Sequence, residues 1–403
     1  MLAVEEALER VVAGLAPLPA EWVHLGAAHG RVLAQDLVAS RDQPPQAVSA
    51  MDGYAVRAAD LAGGRAVLRL IGAAPAGASF EGEVGPGETV RIFTGGGLPR
   101  GADAVALQEN ASAEADQVRL EGRVEPGAYV RPAGLDFRQG ERALAAGERL
   151  CARRLGLAAA LNHAWLPVRR RPRVALLATG DELVMPGQPL APHQIVGSNS
   201  TALAAMVAAW GGEAHDLGIA PDRPDALAAL APQLRDADLV VTLGGASVGE
   251  RDLVRGVLGE HGLELDFWRV AVRPGKPLLF GRMRGVPLLG LPGNPVSAGV
   301  CAILFVRAAL RALLGMDPSL PEVPAVLAEP LAANDQRQDY LRARTAWRGD
   351  GRLEVQPVAK QDSSMLAVFA RASGLIRRPP LAPAAPAGAT VPVVLLASEA
   401  VGL

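Results

Sequence analysis

The sequence predicts a multidomain α+β and α/β protein built around a doubly wound, mostly parallel sheet. Two textures carry that prediction. After the basic connector Arg169-Arg170-Arg171-Pro172 the chain alternates strand, loop and helix, whereas residues 49–142 show short β-rich runs separated by turns such as Gly85-Pro86-Gly87. A length of 403 residues, 50% of them hydrophobic, supplies several cores and excludes a disordered or fibrous chain.

Taken in order, residues 4–15 place apolar side chains at helical spacing, with Glu5, Glu6 and Glu9 on the polar side, and predict an amphipathic helix. A strand over 22–25 and a helix over 29–38 follow, ended by Pro44-Pro45. Residues 1–43 and 143–171, where Leu155, Leu157 and Leu161 suggest a helix over 144–168, are expected to form one discontinuous N-terminal domain of helical and extended linker structure. Residues 44–142 are then an inserted β-rich domain, with strands over 66–71, 89–92, 104–107 and 117–120. The α/β domain is expected over 172–321. Its strands fall at 173–178, 214–219, 239–243, 264–272, 277–280 and 287–289, and its helices at 201–210, 224–234, 252–258 and 296–314. Pro318, Pro321 and Pro324 mark a hinge, and 322–403 reads as a small C-terminal β domain. No repeat of fixed period is present, which argues against a solenoid.

Charge is nearly balanced, 40 basic against 42 acidic residues, so neither nucleic acid nor an acidic membrane is favoured as a partner. Cys151 and Cys301 fit no disulfide framework, zinc knuckle or redox pair, and the first twenty residues lack a signal-peptide pattern. A reducing cytoplasm is the expected compartment. The apolar run 296–306 falls short of the roughly 20 residues a membrane span needs. Only two of the basic residues are lysines, Lys276 and Lys360. Against so arginine-rich a background, a lysine invites inspection. The 45 glycines and 32 prolines imply many ordered loops.

Four loops at strand ends of the α/β domain share a small-residue character: Thr179-Gly180-Asp181-Glu182, Gly197-Ser198-Asn199-Ser200, the run from Gly244 and Gly245 through Ser247 to Gly249, and Gly290-Leu291-Pro292-Gly293-Asn294-Pro295. Ligands of open α/β sheets bind beyond the carboxyl ends of the strands, where glycine lets backbone N–H groups approach an anion. One such loop is more often only a turn; several on one edge point to a phosphate-bearing ligand. Neither a Walker A sequence nor a dinucleotide fingerprint is present. Asp181, Glu182, Asp222 and Asp252 stand at these loops or at helix starts, where an acid equally serves the helix dipole. If two or more face a polyphosphate, a bridging Mg²⁺ is implied. Arg269 and Arg273, four apart, would share one face of an extended strand. Lys276 follows in the turn Pro274-Gly275-Lys276-Pro277, as an anion-binding ammonium or a solvated loop lysine.

The inserted domain contributes turns around Asp52, Thr94 and Asp136. Each alone is ordinary turn chemistry. No Ser-His-Asp or Cys-His arrangement is evident, and the six histidines have no metal-ligand spacing.

Together and in this order, Met51-Asp52-Gly53-Tyr54-Ala55, Phe93-Thr94-Gly95, Thr179-Gly180-Asp181-Glu182-Leu183, the run from Leu243 to Asp252, Pro274-Gly275-Lys276-Pro277 and Gly290-Leu291-Pro292-Gly293-Asn294-Pro295 closely resemble the MoeA family of molybdopterin molybdenumtransferases, to which gephyrin is related. The resemblance spans nearly the whole chain. It implies Mg²⁺-dependent insertion of molybdate into adenylylated molybdopterin with release of AMP, by a homodimer of four-domain subunits, and names the molybdopterin adenylyltransferase as a further partner. It also implies that the α/β domain binds the pterin phosphate and that the cleft is completed by the β-rich domain of the partner subunit.

On the α/β wall the matching positions are Glu182, Asp222, Ser247, Asp252, Arg269, Arg273, Lys276, Pro292 and Pro295; Thr179, Gly180, Asp181, Asn199, Gly244, Gly245, Gly249, Gly293 and Asn294 complete the expected ligand-binding set. Glu182, Asp222 and Asp252 are the expected metal ligands. Asp52, Thr94 and Asp136 match the second wall, and Asp52, Thr94, Asp136, Glu182, Asp252 and Lys276 are the expected catalytic residues. Arg342 and Ser363 match positions associated with molybdate, with Lys360 a weaker candidate. Relatives often carry lysine at Arg269 and Arg273, and bulkier residues within Gly95-Gly96-Gly97, which predicts a more mobile loop. Two other classes share parts of the pattern: a molybdopterin adenylyltransferase or nicotinamide-nucleotide deamidase built on the α/β domain, and a non-enzymatic scaffold of gephyrin type. The first does not account for Asp52, Thr94 and Asp136 or for the C-terminal domain, and a scaffold would not need the acidic and cationic loops to converge.

Overall fold

The computed structural model describes residues 1–221, 223, 236–244 and 262–396. The expected helices over 224–234 and 252–258, and with them Asp222, Gly245, Ser247, Gly249 and Asp252, lie outside the described residues. The chain forms two compact units, one of Met1–Gln35, Ala146–Leu155 and Ala164–Leu403 and the other of Asp36–Ala145 and Gly156–His163.

In the first unit the amphipathic pattern gives a helix over Val4–Val12, which buries Val4, Ala7 and Val11. It ends short of residue 15. The strand Ala20–His24 pairs antiparallel with Trp165–Arg169. No helix forms over 29–38. There the backbone finds partners outside the segment: Gly30 donates to the Leu150 carbonyl, Leu33 to Glu148 and Ala34 to Pro167. Long-range bonds of this kind satisfy the peptide groups that a helix would have paired internally. The segment 143–171 is helical only over Ala152–Ala160.

The α/β sheet runs in the order Glu213–Ala220, Arg173–Thr179, Leu239–Leu243, Val286–Leu291, Leu279–Met283, Leu263–Phe267. The first four strands are parallel and the last two antiparallel. Alternate residues feed two cores. Val174, Leu176, Val241, Leu243, Leu289 and Leu291 face one cluster with the helices, and Ala175, Leu177, Val240 and Leu288 face the other. Such near-continuous apolar runs are what a sheet covered on both faces requires.

The helix Pro295–Cys301 continues through a π-helical turn, Ala302–Val306, into Arg307–Leu313. Its 19 residues exceed the apolar run the sequence suggested and are long and apolar enough to cross a membrane, yet 78% of its most apolar window is buried within the protein. Val300, Phe305 and Leu310 sit in the larger α/β core, as in a central helix of a packed domain.

The C-terminal strands close on themselves. Gln338–Trp347, Leu353–Pro357, Val323–Leu327, Thr390–Leu395 and Gly374–Arg378 pair in sequence, and the last returns to the first, making a small barrel around Leu327, Ala343, Val355, Ile376 and Val393. The expected strand over 264–272 is broken. Leu263–Phe267 stays in the α/β sheet, while Val272–Arg273 pairs parallel with Gln338 and Asp339 of the barrel.

The second unit holds a six-stranded sheet in the order Ala104–Leu107, Gly53–Val56, Glu88–Ile92, Arg65–Ala74, Gln117–Glu121, Ala111–Glu114. Gly53–Val56 lies between two neighbouring strands and is buried throughout. A Cβ on Gly53 would lie 2.0 Å from the Ala106 carbonyl oxygen, so this strand can pass its neighbour only as glycine.

Candidate functional site

The parallel strands of the α/β sheet bring their loops to one edge by register. Ala178 stands beside Leu243, and Leu243 beside Leu291, so Thr179-Gly180, Gly244 and Pro292-Gly293 begin at the same level. Asn199 Nδ2 donates to the Gly293 carbonyl at 2.7 Å and ties the loop before its own helix to the loop after Leu291. Above this edge opens a cleft of about 1080 Å³. It is lined by Thr179, Gly180, Glu182, Asn199, Gly244, Arg273, Lys276, Pro292, Gly293, Asn294, Pro295 and Ser363, all of them expected ligand or catalytic residues.

The barrel side of the same unit adds Arg337, Gln361, Asp362, Ser363 and Ser364 to the lining. Two bonds join the linings: Asn294 Nδ2 donates to Ser363 Oγ at 2.9 Å, and the Val296 N–H donates to the Ser363 carbonyl at 3.0 Å. Asn294 begins the helix without its side chain capping the first turn. The amide is instead spent on Ser363.

Lys276 is exposed on a turn fixed by the residues just before it. Before it, Arg273 donates to both oxygens of Asp339, through Nε to Oδ1 at 2.7 Å and through Nη2 to Oδ2, and a third bond runs from Nη1 to Asp335 Oδ2 at 3.3 Å. Asp339 is buried, 1% exposed, so this is a forked, partly desolvated ion pair that locks Val272–Arg273 to the barrel. After Arg273, Gly275 has φ +123°, and a Cβ there would meet Cys301 Sγ at 2.3 Å. The Cys301 thiol is fully buried, and burial pushes it up to about 12. Gly275→Ala is therefore expected to cost about 3 kcal/mol from backbone strain and overpacking, and to displace Lys276. A lowered thermal midpoint together with reduced turnover would show both; an unchanged midpoint would contradict the packing.

Arg273 is thus a structural cation as well as a cleft residue. Arg269 does not join it. Because the strand is interrupted, its guanidinium stacks 3.8 Å over the Trp268 ring, and it is not among the lining residues. Asp181 and Lys360 also stand outside the lining. Arg342 lies behind it, 1% exposed. Its Nη2 donates to the Asp362 carbonyl at 3.1 Å, its peptide N–H donates to Gln361 Oε1 at 3.0 Å, and Gln361 Nε2 donates back to its carbonyl at 2.9 Å. Arg342 therefore shapes the loop carrying Ser363, while its Nε has no partner among the described residues. Burial lowers the affinity of this guanidinium for its proton. Among the described residues no group of three or more His, Cys, Asp or Glu comes together to hold a metal; of the three expected ligands only Glu182 is described.

Sequence reasoning missed Arg337, Gln361 and Asp362. They lie in loops without the glycine signature, and only closure of the barrel brings them to the cleft.

In the second unit the antiparallel register sets Gly53 against Ile92, so Asp52 and Thr94 emerge at one end of neighbouring strands. Asp52 Oδ1 accepts from the Thr94 N–H and from Thr94 Oγ1, both at 2.8 Å. These two bonds, with Arg91 nearby, hold the Asp52 carboxyl below its usual range. Asp136 lines a separate groove of about 470 Å³ with Pro44, Gln46, Gly95 and Arg131. The Gly95-Gly96-Gly97 loop is not loosely held. Gly95 donates to the Ser49 carbonyl at 2.9 Å, Gly96 to Phe93 at 2.8 Å and Gly97 to Ala78 at 2.9 Å, and Gly96 and Gly97 are buried.

With this geometry in view, three family models match the chain in order: the MoeA N-terminal region (domain I and II) over residues 2–162, a probable molybdopterin binding domain over 175–312, and the MoeA C-terminal region (domain IV) over 324–396. A molybdopterin molybdenumtransferase of Haemophilus influenzae is 34% identical, covering 93% of this chain and 94% of the relative. One from Nostoc is 40% identical over 80% of this chain and 76% of the relative. Among solved structures, a molybdopterin biosynthesis MoeA protein from Pyrococcus horikosii superposes with a TM-score of 0.84 at 32% identity, covering 99% of this chain and 100% of that one.

Proposed function

Because this chain belongs to the MoeA family, we propose that it is a molybdopterin molybdenumtransferase, inserting molybdate into adenylylated molybdopterin with release of AMP. The observation that carries this reading is the cleft in which glycine loops of the α/β edge, Lys276 and Glu182 face Ser363 of the barrel. An adenylyltransferase or deamidase needs the first lining alone and leaves the second without a purpose.

In this reading the backbone N–H groups of the Gly180, Gly244 and Gly293 loops hold the phosphates of the pterin nucleotide. Lys276 stabilises charge developing at the phosphoanhydride. Ser363 meets molybdate, a tetrahedral dianion suited to hydroxyl and cationic donors, and Arg342 orients the loop that carries Ser363. A carboxylate beside phosphate-binding loops suits a divalent ion, so Mg²⁺ would be held by Glu182 with Asp222 and Asp252. When bound, it neutralises phosphate charge.

The reading extends to a cytoplasmic homodimer of four-domain subunits, divided at residues 1–43 with 143–171, 44–142, 172–321 and 322–403. Asp52, Thr94 and Asp136 supply a further wall from the partner subunit. The molybdopterin adenylyltransferase delivers the substrate. The free thiols of Cys151 and Cys301 suit a reducing compartment.

The test is to incubate the purified protein with adenylylated molybdopterin and Mg²⁺, with and without molybdate, and to follow AMP. Release that requires molybdate is expected, and a chelator should abolish it. Release at the same rate without molybdate, or none in either case, would overturn the assignment.

A further inference from the structure

The barrel side of the cleft carries a cation that no glycine loop or lysine marked. Arg337 lines the same cleft as Arg273 and Lys276. It is clamped three times by one carboxylate: its peptide N–H donates to Asp335 Oδ1 at 2.9 Å, Nε to Oδ1 at 3.2 Å and Nη2 to Oδ2 at 2.7 Å. Its side chain keeps 29% of its surface open. A guanidinium has five N–H donors in a rigid plane, and this pairing leaves the Nη1 edge without a protein partner among the described residues.

Asp335 also accepts from Arg273 Nη1, so one carboxylate sets two guanidiniums. They are not equivalent. Arg273 spends its fork on buried Asp339, whereas Arg337 pairs, among the described residues, with Asp335 and is a partly exposed residue of the cleft lining. The same three-bond clamp joins Arg352 to Asp350 on an exposed turn, so the clamp itself is local turn chemistry; Arg337 differs in lining the cleft, where the clamp has the effect of pre-orienting it. A forked cation held in one plane loses less freedom when it binds a tetrahedral anion with paired oxygens.

We propose that Arg337, oriented by Asp335, binds a tetrahedral oxyanion in the cleft, either molybdate itself or a phosphate of the pterin nucleotide. This rests on the transferase reading and adds to it a binding residue, Arg337, and a positioning residue, Asp335.

The test uses the full chain and three variants, Arg337→Gln, Arg337→Lys and Asp335→Asn, with thermal midpoints measured alongside steady-state kinetics. Loss of one charge-assisted partner predicts a rise in KM of about tenfold or more for Arg337→Gln, with kcat changed much less. A rise confined to molybdate identifies molybdate as the anion; a rise confined to adenylylated molybdopterin identifies the phosphate. Asp335→Asn should raise the same KM by a smaller factor, and Arg337→Lys should restore part of it, which a purely structural role would not produce. Unchanged KM values for both substrates in a folded Arg337→Gln protein overturn the inference and leave the transferase reading intact. Should the wild type show no turnover, calorimetric binding of molybdate and of AMP to wild type and Arg337→Gln decides instead: weaker binding of either to the variant supports the site, and equal or absent binding overturns it.

Discussion

Lys276→Ala is expected to lower kcat by about 10²–10³-fold, the usual loss when one preorganised donor to a developing anion is removed. The turn that carries Lys276 is fixed just before it by the Arg273–Asp339 pair and by the contact of Gly275 with Cys301, packing that the substitution leaves in place. Folding should therefore be unaffected. Lys276→Arg separates the functional reading from the bland one. A solvated loop lysine exchanges freely with arginine in a chain already rich in it, whereas a compact ammonium meeting one phosphate oxygen does not. The expected result is that Lys276→Arg keeps substrate binding but recovers only part of kcat. Full activity in both variants would remove Lys276 from the mechanism.

Asp52→Asn is expected to reduce kcat by a comparable factor of about 10²–10³. Asparagine keeps an oxygen for the two bonds from Thr94, so the loop should hold its shape and the loss should report the missing charge. The pH dependence follows from the same bonds. Because Thr94 lowers the folded pKa of Asp52, the carboxylate is fully ionised above its unfolded value. Its contribution to stability is present there and is lost only as pH falls through the folded value. In Thr94→Val the hydroxyl bond disappears while the peptide N–H bond remains, so the acid limb of the activity profile should move upward in pH. A limb that does not move, or an Asp52→Asn enzyme of normal rate, would show that this carboxylate is turn chemistry alone.

Much of the α/β domain was legible because its strands are covered on both faces and are therefore written as unbroken apolar runs; Leu239–Leu243 falls where the pattern sets it. The α/β loops that line the cleft were legible because small residues cluster at those strand ends. The failures are long-range. Nothing local says that residues 29–38 pair with Glu148, Leu150 and Pro167, so helical spacing there was misleading. Arg269 and Arg273 look equivalent four residues apart, yet the barrel captures Arg273 through Asp339 while Arg269 turns onto Trp268. Arg337, Gln361 and Asp362 stayed hidden because the barrel wall is assembled from ordinary polar loops by strand closure. Conversely, the Gly95-Gly96-Gly97 triplet reads as slack in the sequence and is pinned by three backbone hydrogen bonds.

The most direct test of the central claim is a single-turnover reaction with isotopically labelled molybdate, following label transferred to the pterin and AMP released in the same sample. A molybdenumtransferase predicts one molybdenum incorporated per AMP, with both progress curves sharing one rate constant and both slowed by the same factor in Lys276→Ala. AMP appearing with no label on the pterin would make the chain a hydrolase of the adenylylated substrate and would contradict the account.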